Sequence, residues 1–265
     1  MFRFFTLIFT LISFYVSAQL SVGAHAVALG KTGVVLQNEW SVINNQAGIA
    51  TLKKPAVAIA YEQRFSDKDL NAQSLVLVYP LGKHVFGLSF QKYGITAFNE
   101  QKVGLTYARQ YGEKLNLALN FSLHQLKILS YGNANAVSAE IGIQYKFSET
   151  LLLGAHVANP NRSKYNADLS ATVPVIMQLG FAYKLSDQVL ITSAAEQTLN
   201  YQPDFRLGGE YKIVEYFRIR GGVSMNPFKQ YVGFGFNYQH IKIDAASASQ
   251  AVLGYSPQLA LSYEF

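Results

Sequence analysis

Large apolar residues alternate with small or polar ones along most of the chain. Leu115, Leu117, Leu119, Phe121 and Leu123 interleave with Asn116, Ala118, Asn120, Ser122 and His124. Ile141, Ile143, Tyr145 and Phe147 interleave with Gly142, Gln144 and Lys146, and Val232, Phe234, Phe236 and Tyr238 with Gly233, Gly235 and Asn237. A period of two puts the two sets on opposite faces of a strand, so each strand meets two environments. The pattern predicts fourteen strands, near 55–65, 70–80, 83–93, 100–110, 115–127, 137–147, 150–158, 174–184, 188–196, 204–214, 217–224, 229–238, 241–249 and 255–265. Short polar links such as Gly112-Glu113, Ser148-Glu149, Ser186-Asp187 and Gln239-His240 suit tight hairpins. The longer breaks at 128–136, 159–173 and 197–203 fit loops of the opposite rim.

Several of these stretches reach the roughly nine to eleven residues that a tilted strand needs to cross hydrocarbon. Strands of soluble proteins average about five or six. An even strand number brings both barrel ends to one rim. A secreted β-sandwich or soluble barrel is the alternative. It would need a charged outer face, whereas the second face here is Gly, Ala, Ser, Thr, Asn and Gln. The expected fold is therefore an all-β, transmembrane antiparallel barrel of about fourteen strands with an N-terminal plug-like segment. Tyr61, Tyr79, Tyr93, Tyr107, Tyr145, Tyr183, Tyr238 and Tyr263 fall near strand ends, where an aromatic girdle would sit.

Residues 1–18 have a different pattern. Arg3 precedes an apolar run from Phe4 to Val16, and Val16-Ser17-Ala18 suits signal-peptidase cleavage. The reading is a signal peptide over 1–18, with a membrane anchor as its rival. Residues 19–54 follow, rich in Gly and Ala but carrying Val27, Leu29, Val34, Val35 and Trp40. Those apolar side chains argue for a plug in or under the lumen rather than an exposed leader. Residues 55–265 form the barrel.

Composition sharpens the picture. Charged residues are 14% of the 265-residue chain, with 17 Tyr, 18 Phe and no Cys. Disorder is excluded by the apolar and aromatic content, and a disulfide scaffold or cysteine-ligated metal by the missing Cys. The formal charge of +6 falls by one without Arg3, too diffuse for nucleic-acid binding. No stretch after residue 18 could span a membrane as a helix. A spanning chain then has to close a barrel.

Candidate chemistry is sparse. Glu62, Arg64, His124, Gln144, Lys146, Glu210, Lys212, Arg218, Arg220 and Asp244 are assigned to the inward face, as ion pairs around a plug. Arg218 and Arg220, two apart on one face, could grip a carboxylate of the protein or a bound anion. The five His show no metal-ligand spacing. His156, Ser163 and Asp168 have triad residue types without a recognised motif. No cofactor, metal or catalytic set is expected. Tyr263 and Phe265 close the last strand in register, and such a terminal aromatic resembles the signal read by the barrel-assembly machinery.

One resemblance is spread over most of the chain after residue 18, through loose motifs. Gly23-Ala24-His25-Ala26-Val27-Ala28-Leu29-Gly30-Lys31-Thr32-Gly33, then Asn44-Asn45-Gln46-Ala47-Gly48-Ile49-Ala50, resemble the opening of the PorV/PorQ family of outer-membrane barrels. That family is related to FadL-type long-chain fatty-acid channels. Asn45, Ala47 and Gly48 match its Asn-Pro-Ala-Gly turn, and Gln46 stands where Pro is expected. The last three strands resemble such barrels too. The resemblance implies a Gram-negative outer membrane with its lipid and lipopolysaccharide. It implies a protein that binds secreted cargo domains or the translocon in type IX secretion. The FadL branch implies instead a plugged channel for hydrophobic small molecules such as fatty acids, and a purely structural barrel is a third possibility.

Overall fold

The computed structural model describes residues 23–67, 69–129, 132–165, 172–251 and 253–265. The expected signal peptide lies outside the described residues. Fourteen strands follow one another: β1 Ala56–Gln63, β2 Asn71–Leu81, β3 His84–Gly94, β4 Phe98–Tyr111, β5 Leu115–Ile128, β6 Gly132–Lys146, β7 Leu151–Ala158, β8 Ile176–Lys184, β9 Val189–Thr198, β10 Asp204–Val214, β11 Phe217–Met225, β12 Phe228–Tyr238, β13 Ile241–Gln250 and β14 Gly254–Glu264. Each pairs antiparallel with its sequence neighbours, and β1 pairs with β14, closing the barrel. Closure removes the edge strands that lipid could not hydrogen-bond.

The alternation decides which side faces out. Ile59, Leu105, Phe121, Leu123, Leu179, Val232 and Leu259 are between 53% and 65% exposed, while their inward neighbours are buried. A continuous apolar exterior of this kind needs lipid against it. Tyr79, Tyr145, Tyr183, Tyr211, Tyr238 and Tyr263 are exposed near the ends of even-numbered strands, at the rim of short turns that also carries both barrel ends. Tyr61, Phe98, Phe205, Phe228 and Tyr255 are exposed near the other rim. Tyr93 departs from the expected girdle: it lies inward, under the Arg64 guanidinium. The fold is that of Gram-negative outer-membrane proteins, and the chain belongs in that membrane, its short turns on the periplasmic side.

One expected loop is a strand. Most of the stretch 128–136 is the start of β6, where Gly132–Ala136 pairs with β5. Ala134 and Ala136 face in, and Asn133 and Asn135 face out. Both faces lack large apolar side chains, so the alternation is invisible in the sequence. β7 is much shorter than β6, so the upper edge of β6, beyond Glu140, has no strand partner on this side among the described residues. The loop after β7 covers it: Ala139 donates its backbone N–H to Asn161 Oδ1, and the Ser163 hydroxyl donates to the Val137 carbonyl.

The chain before β1 folds as a short helix, α1 Ala24–Ala28, and 3-10 turns at Gly33–Val35, Glu39–Val42 and Gln46–Thr51. Val27, Leu29, Val34, Val35 and Trp40 are all buried, Trp40 completely. α1 packs on β12 and β13, and the last turn on β4, β5 and β6. The strands make room by omitting side chains. A Cβ on Gly142 would meet Asn45 Oδ1, and one on Gly222 would lie 2.7 Å from the Leu29 carbonyl carbon. Gly87, Gly154, Gly180, Gly208 and Gly233 would likewise strike residues between 28 and 49. The small inward face of the strands is thus shaped to this segment.

Candidate functional site

Four polar centres lie between the N-terminal segment and the wall. The first is Glu140 on β6, 2% exposed. Its Oε1 accepts from Lys102 Nζ at 2.6 Å and Ser122 Oγ at 3.2 Å. Its Oε2 accepts from Gln46 Nε2 at 2.8 Å and lies 3.1 Å from His156 Nε2. A buried carboxylate is stable only when paired and hydrogen-bonded in this way. His124, an expected luminal residue, is buried beside this centre and meets Ser138 Oγ through Nε2 at 2.8 Å.

The second centre is Arg206 on β10. It donates to Asp204 at 2.7 Å, to Glu196 at 2.6 Å and to the Lys31 carbonyl at 3.3 Å. Gln178 donates to the other oxygen of Glu196 at 2.5 Å. The third centre joins four of the residues assigned to the inward face, Glu210, Arg218, Arg220 and Asp244. Glu210 and Arg220 are direct cross-strand partners, with Nε 2.6 Å from Oε2. Arg218 lies 3.6 Å from the same carboxylate, and Arg220 reaches Asp244 at 2.5 Å. Both arginines therefore grip carboxylates of the protein itself. His25 of α1 lies 3.5 Å from Glu210. The fourth centre is Lys242, which lies 3.4 Å from buried Glu39 and 3.6 Å from Glu264.

The remaining expected residues separate. Glu62 is buried on β1, and Arg64, in the turn beyond it, lies 3.6 Å away. Lys146 stands at the rim rather than in the lumen, paired at 2.7 Å with exposed Glu149. Lys184–Asp187 and Lys212–Glu215 repeat that arrangement at the next two turns. Glu140, Lys102, Arg206 and Glu196 were not singled out by the sequence. Arg206 pairs with Asp204 on its own strand, but Glu140 and Lys102 find each other across strands, as do Arg206 and Glu196.

The residues of the family-like opening hold the segment in place. Gly23, with φ +87°, adopts a conformation few other residues tolerate and lies against the Trp40 ring. Gly30, φ +68°, approaches the carbonyls of Leu207 and Val223, and Gly33 abuts Asn44. Asn45 Nδ2 donates to the carbonyls of Val34, Ile143 and Ala155 at 2.7, 3.1 and 3.2 Å. Ala47 is fully buried, and Gly48 leaves room for the Leu36 carbonyl and Ser41. At the other end of the chain, the Phe265 N–H donates to the Pro55 carbonyl at 3.0 Å, and the rings of Tyr263 and Phe265 pack edge-on.

Between the first two centres lies a cavity of ≈ 140 Å³. Lys31, Ile43 and Asn44 of the N-terminal segment line it together with Ala158, Val173, Pro174 and Ile176 and the polar groups just described. No hydrogen bond or ion pair engages the Lys31 amine among the described residues. Burial, reinforced by Lys229, Arg64 and Arg206 and opposed by Glu62, pushes its pKa down to about 8.

Among the described residues no group of three or more His, Asp or Glu could hold a metal ion. His156 is turned to Glu140, Ser163 to a backbone carbonyl, and Asp168 lies outside the described residues.

No protein-family model and no curated protein matches the sequence. Solved structures do. The Ralstonia pickettii toluene transporter TbuX superposes with a TM-score of 0.69 at 12% identity, over 92% of this chain and 98% of that one. The Pseudomonas putida toluene transporter TodX gives 0.69 at 12% identity, over 93% and 98%. A Pseudomonas aeruginosa FadL homologue gives 0.69 at 12% identity, over 92% and 98%. These matches overturn the PorV/PorQ resemblance and the type IX secretion role it implied. The physical reason lies in the motif. Asn45, Ala47 and Gly48 meet the packing needs of a segment folded against a barrel wall, whatever the barrel does. What this chain shares with the two toluene transporters and the FadL homologue is the barrel fold.

Proposed function

We propose that the chain is an outer-membrane channel for hydrophobic small molecules, with residues 23–54 as its plug. The observation that carries the reading is the cavity resting on that segment. At ≈ 140 Å³ it is close to the roughly 150 Å³ that holds a benzene ring in an engineered apolar pocket. Ile43, Ala158, Val173, Pro174 and Ile176 give it apolar wall. The shared barrel fold supports the reading, since the similar structures include two toluene transporters. The four polar centres tie this segment to the barrel wall.

The test is uptake into cells that lack their own hydrophobic channels and express this barrel. Labelled toluene and a labelled long-chain fatty acid should accumulate faster than in cells without it, and a hydrophilic sugar of similar mass should not. Unchanged uptake of both hydrophobic solutes, or equal entry of the sugar, would reject the proposal.

A further inference from the structure

The outer surface carries a second feature, independent of transport. At the extracellular ends of β3 to β6 the outward residues turn from apolar to amide and lysine in two direct cross-strand rows. Lys92, Gln101, Gln125 and Asn135 form one. Asn99, Lys127 and Asn133 form the next, farther from the hydrocarbon band. The row beneath is apolar: Phe90, Val103, Leu123 and Val137. A groove of ≈ 600 Å³ lies across this boundary, lined by Val103, Leu123 and Val137 below and Gln101 and Gln125 above, with Lys164 at its edge.

The loop that caps the β6 edge sets Lys164 there. Tyr165 turns inward onto Leu126, Ala134 and Ala136, which leaves its neighbour Lys164 exposed. Lys92, Lys127 and Lys164 have no ion-pair partner among the described residues, and neither row contains a carboxylate. Rows of amides and lysines without a carboxylate, directly above an apolar groove, complement one kind of lipid: acyl chains below, sugar hydroxyls and phosphate above.

We propose that this groove binds a phosphorylated glycolipid of the outer leaflet, the lipid A part of lipopolysaccharide. Its acyl chain lies along Val103, Leu123 and Val137. Its phosphate meets Lys164 and Lys127, and the amide row bonds its sugars.

The experiment is native mass spectrometry of the full chain in mild detergent, titrated with bisphosphorylated lipid A, its dephosphorylated form, phosphatidylglycerol or inorganic phosphate. One equivalent of bisphosphorylated lipid A should bind, at least about tenfold tighter than the other three. Lys127→Glu with Lys164→Glu should weaken it by about tenfold or more. Lys184→Glu at the opposite rim should leave it unchanged. Heat-modifiable gel mobility checks that each variant is folded, and if charge reversal disturbs assembly, Lys127→Gln with Lys164→Gln carries the same comparison. Equal binding of the dephosphorylated form, of phosphatidylglycerol or of free phosphate overturns the proposal. So does indifference to the folded double variant.

Discussion

Gln46 donates its side-chain amide to Glu140 at 2.8 Å, tying the turn before β1 to the middle of β6. It occupies the position where the family-like turn carries Pro, a residue with no side-chain donor to offer. Gln46→Ala removes one bond to a buried charge, worth about 2 kcal/mol. Hydrogen exchange of the amides between 39 and 52 should speed up while β6 stays protected. Unchanged exchange would mean the bond does not hold the segment.

Gly222 faces the backbone of Leu29 and Gly30. Gly222→Leu should leave the barrel assembled, because an inward Leu is compatible with a strand, but should push the segment off the wall. Single-channel recordings should then show a larger ion conductance. A conductance equal to that of the unaltered chain would show that the segment absorbs the side chain.

Lys31 gives a pH signature. Its pKa falls from 10.5 in the unfolded chain to about 8 because burial disfavours the charged amine. Between about pH 8 and 10.5 the unfolded chain therefore binds more protons, and stability rises with pH across that window. Below it the penalty is constant, at most about 3 kcal/mol for a shift of this size. Lys31→Met should flatten the rise and make the protein more stable near pH 7. Urea unfolding of the purified barrel at several pH values measures both, and a variant that keeps the parent slope would assign the effect elsewhere.

Phe265 is tied to Pro55 across the closing seam and packs edge-on against Tyr263. Deleting Phe265 should lower the amount of heat-modifiable barrel recovered from outer membranes several-fold without changing synthesis. Full recovery would remove Phe265 from assembly.

The strands were legible because each has one face in lipid and one against a packed segment, so large and small residues had to alternate. The signal failed at Gly132–Ala136, where the outer face leaves the hydrocarbon and Asn replaces Leu or Val. The Glu210–Arg220 pair was legible in part, since both charges interrupt neighbouring strands on the inward parity. The Glu140 centre was not. Gln46, Lys102, Ser122 and His156 come from four separate stretches, and only the closed barrel brings them to one carboxylate. The role drawn from the opening motif was wrong, because close packing against a wall does not encode what the barrel carries.

The glycines facing the N-terminal segment have one more consequence. Where a small barrel normally fills its centre with its own inward side chains, this one has given up that volume on seven strands. Its core is supplied by the chain that precedes it, joined only through the exposed pair Lys53 and Lys54. A tryptic nick there would sever the covalent link and none of the contacts. The product would be a two-chain particle, a peptide core held by its own wall, released only when the wall opens.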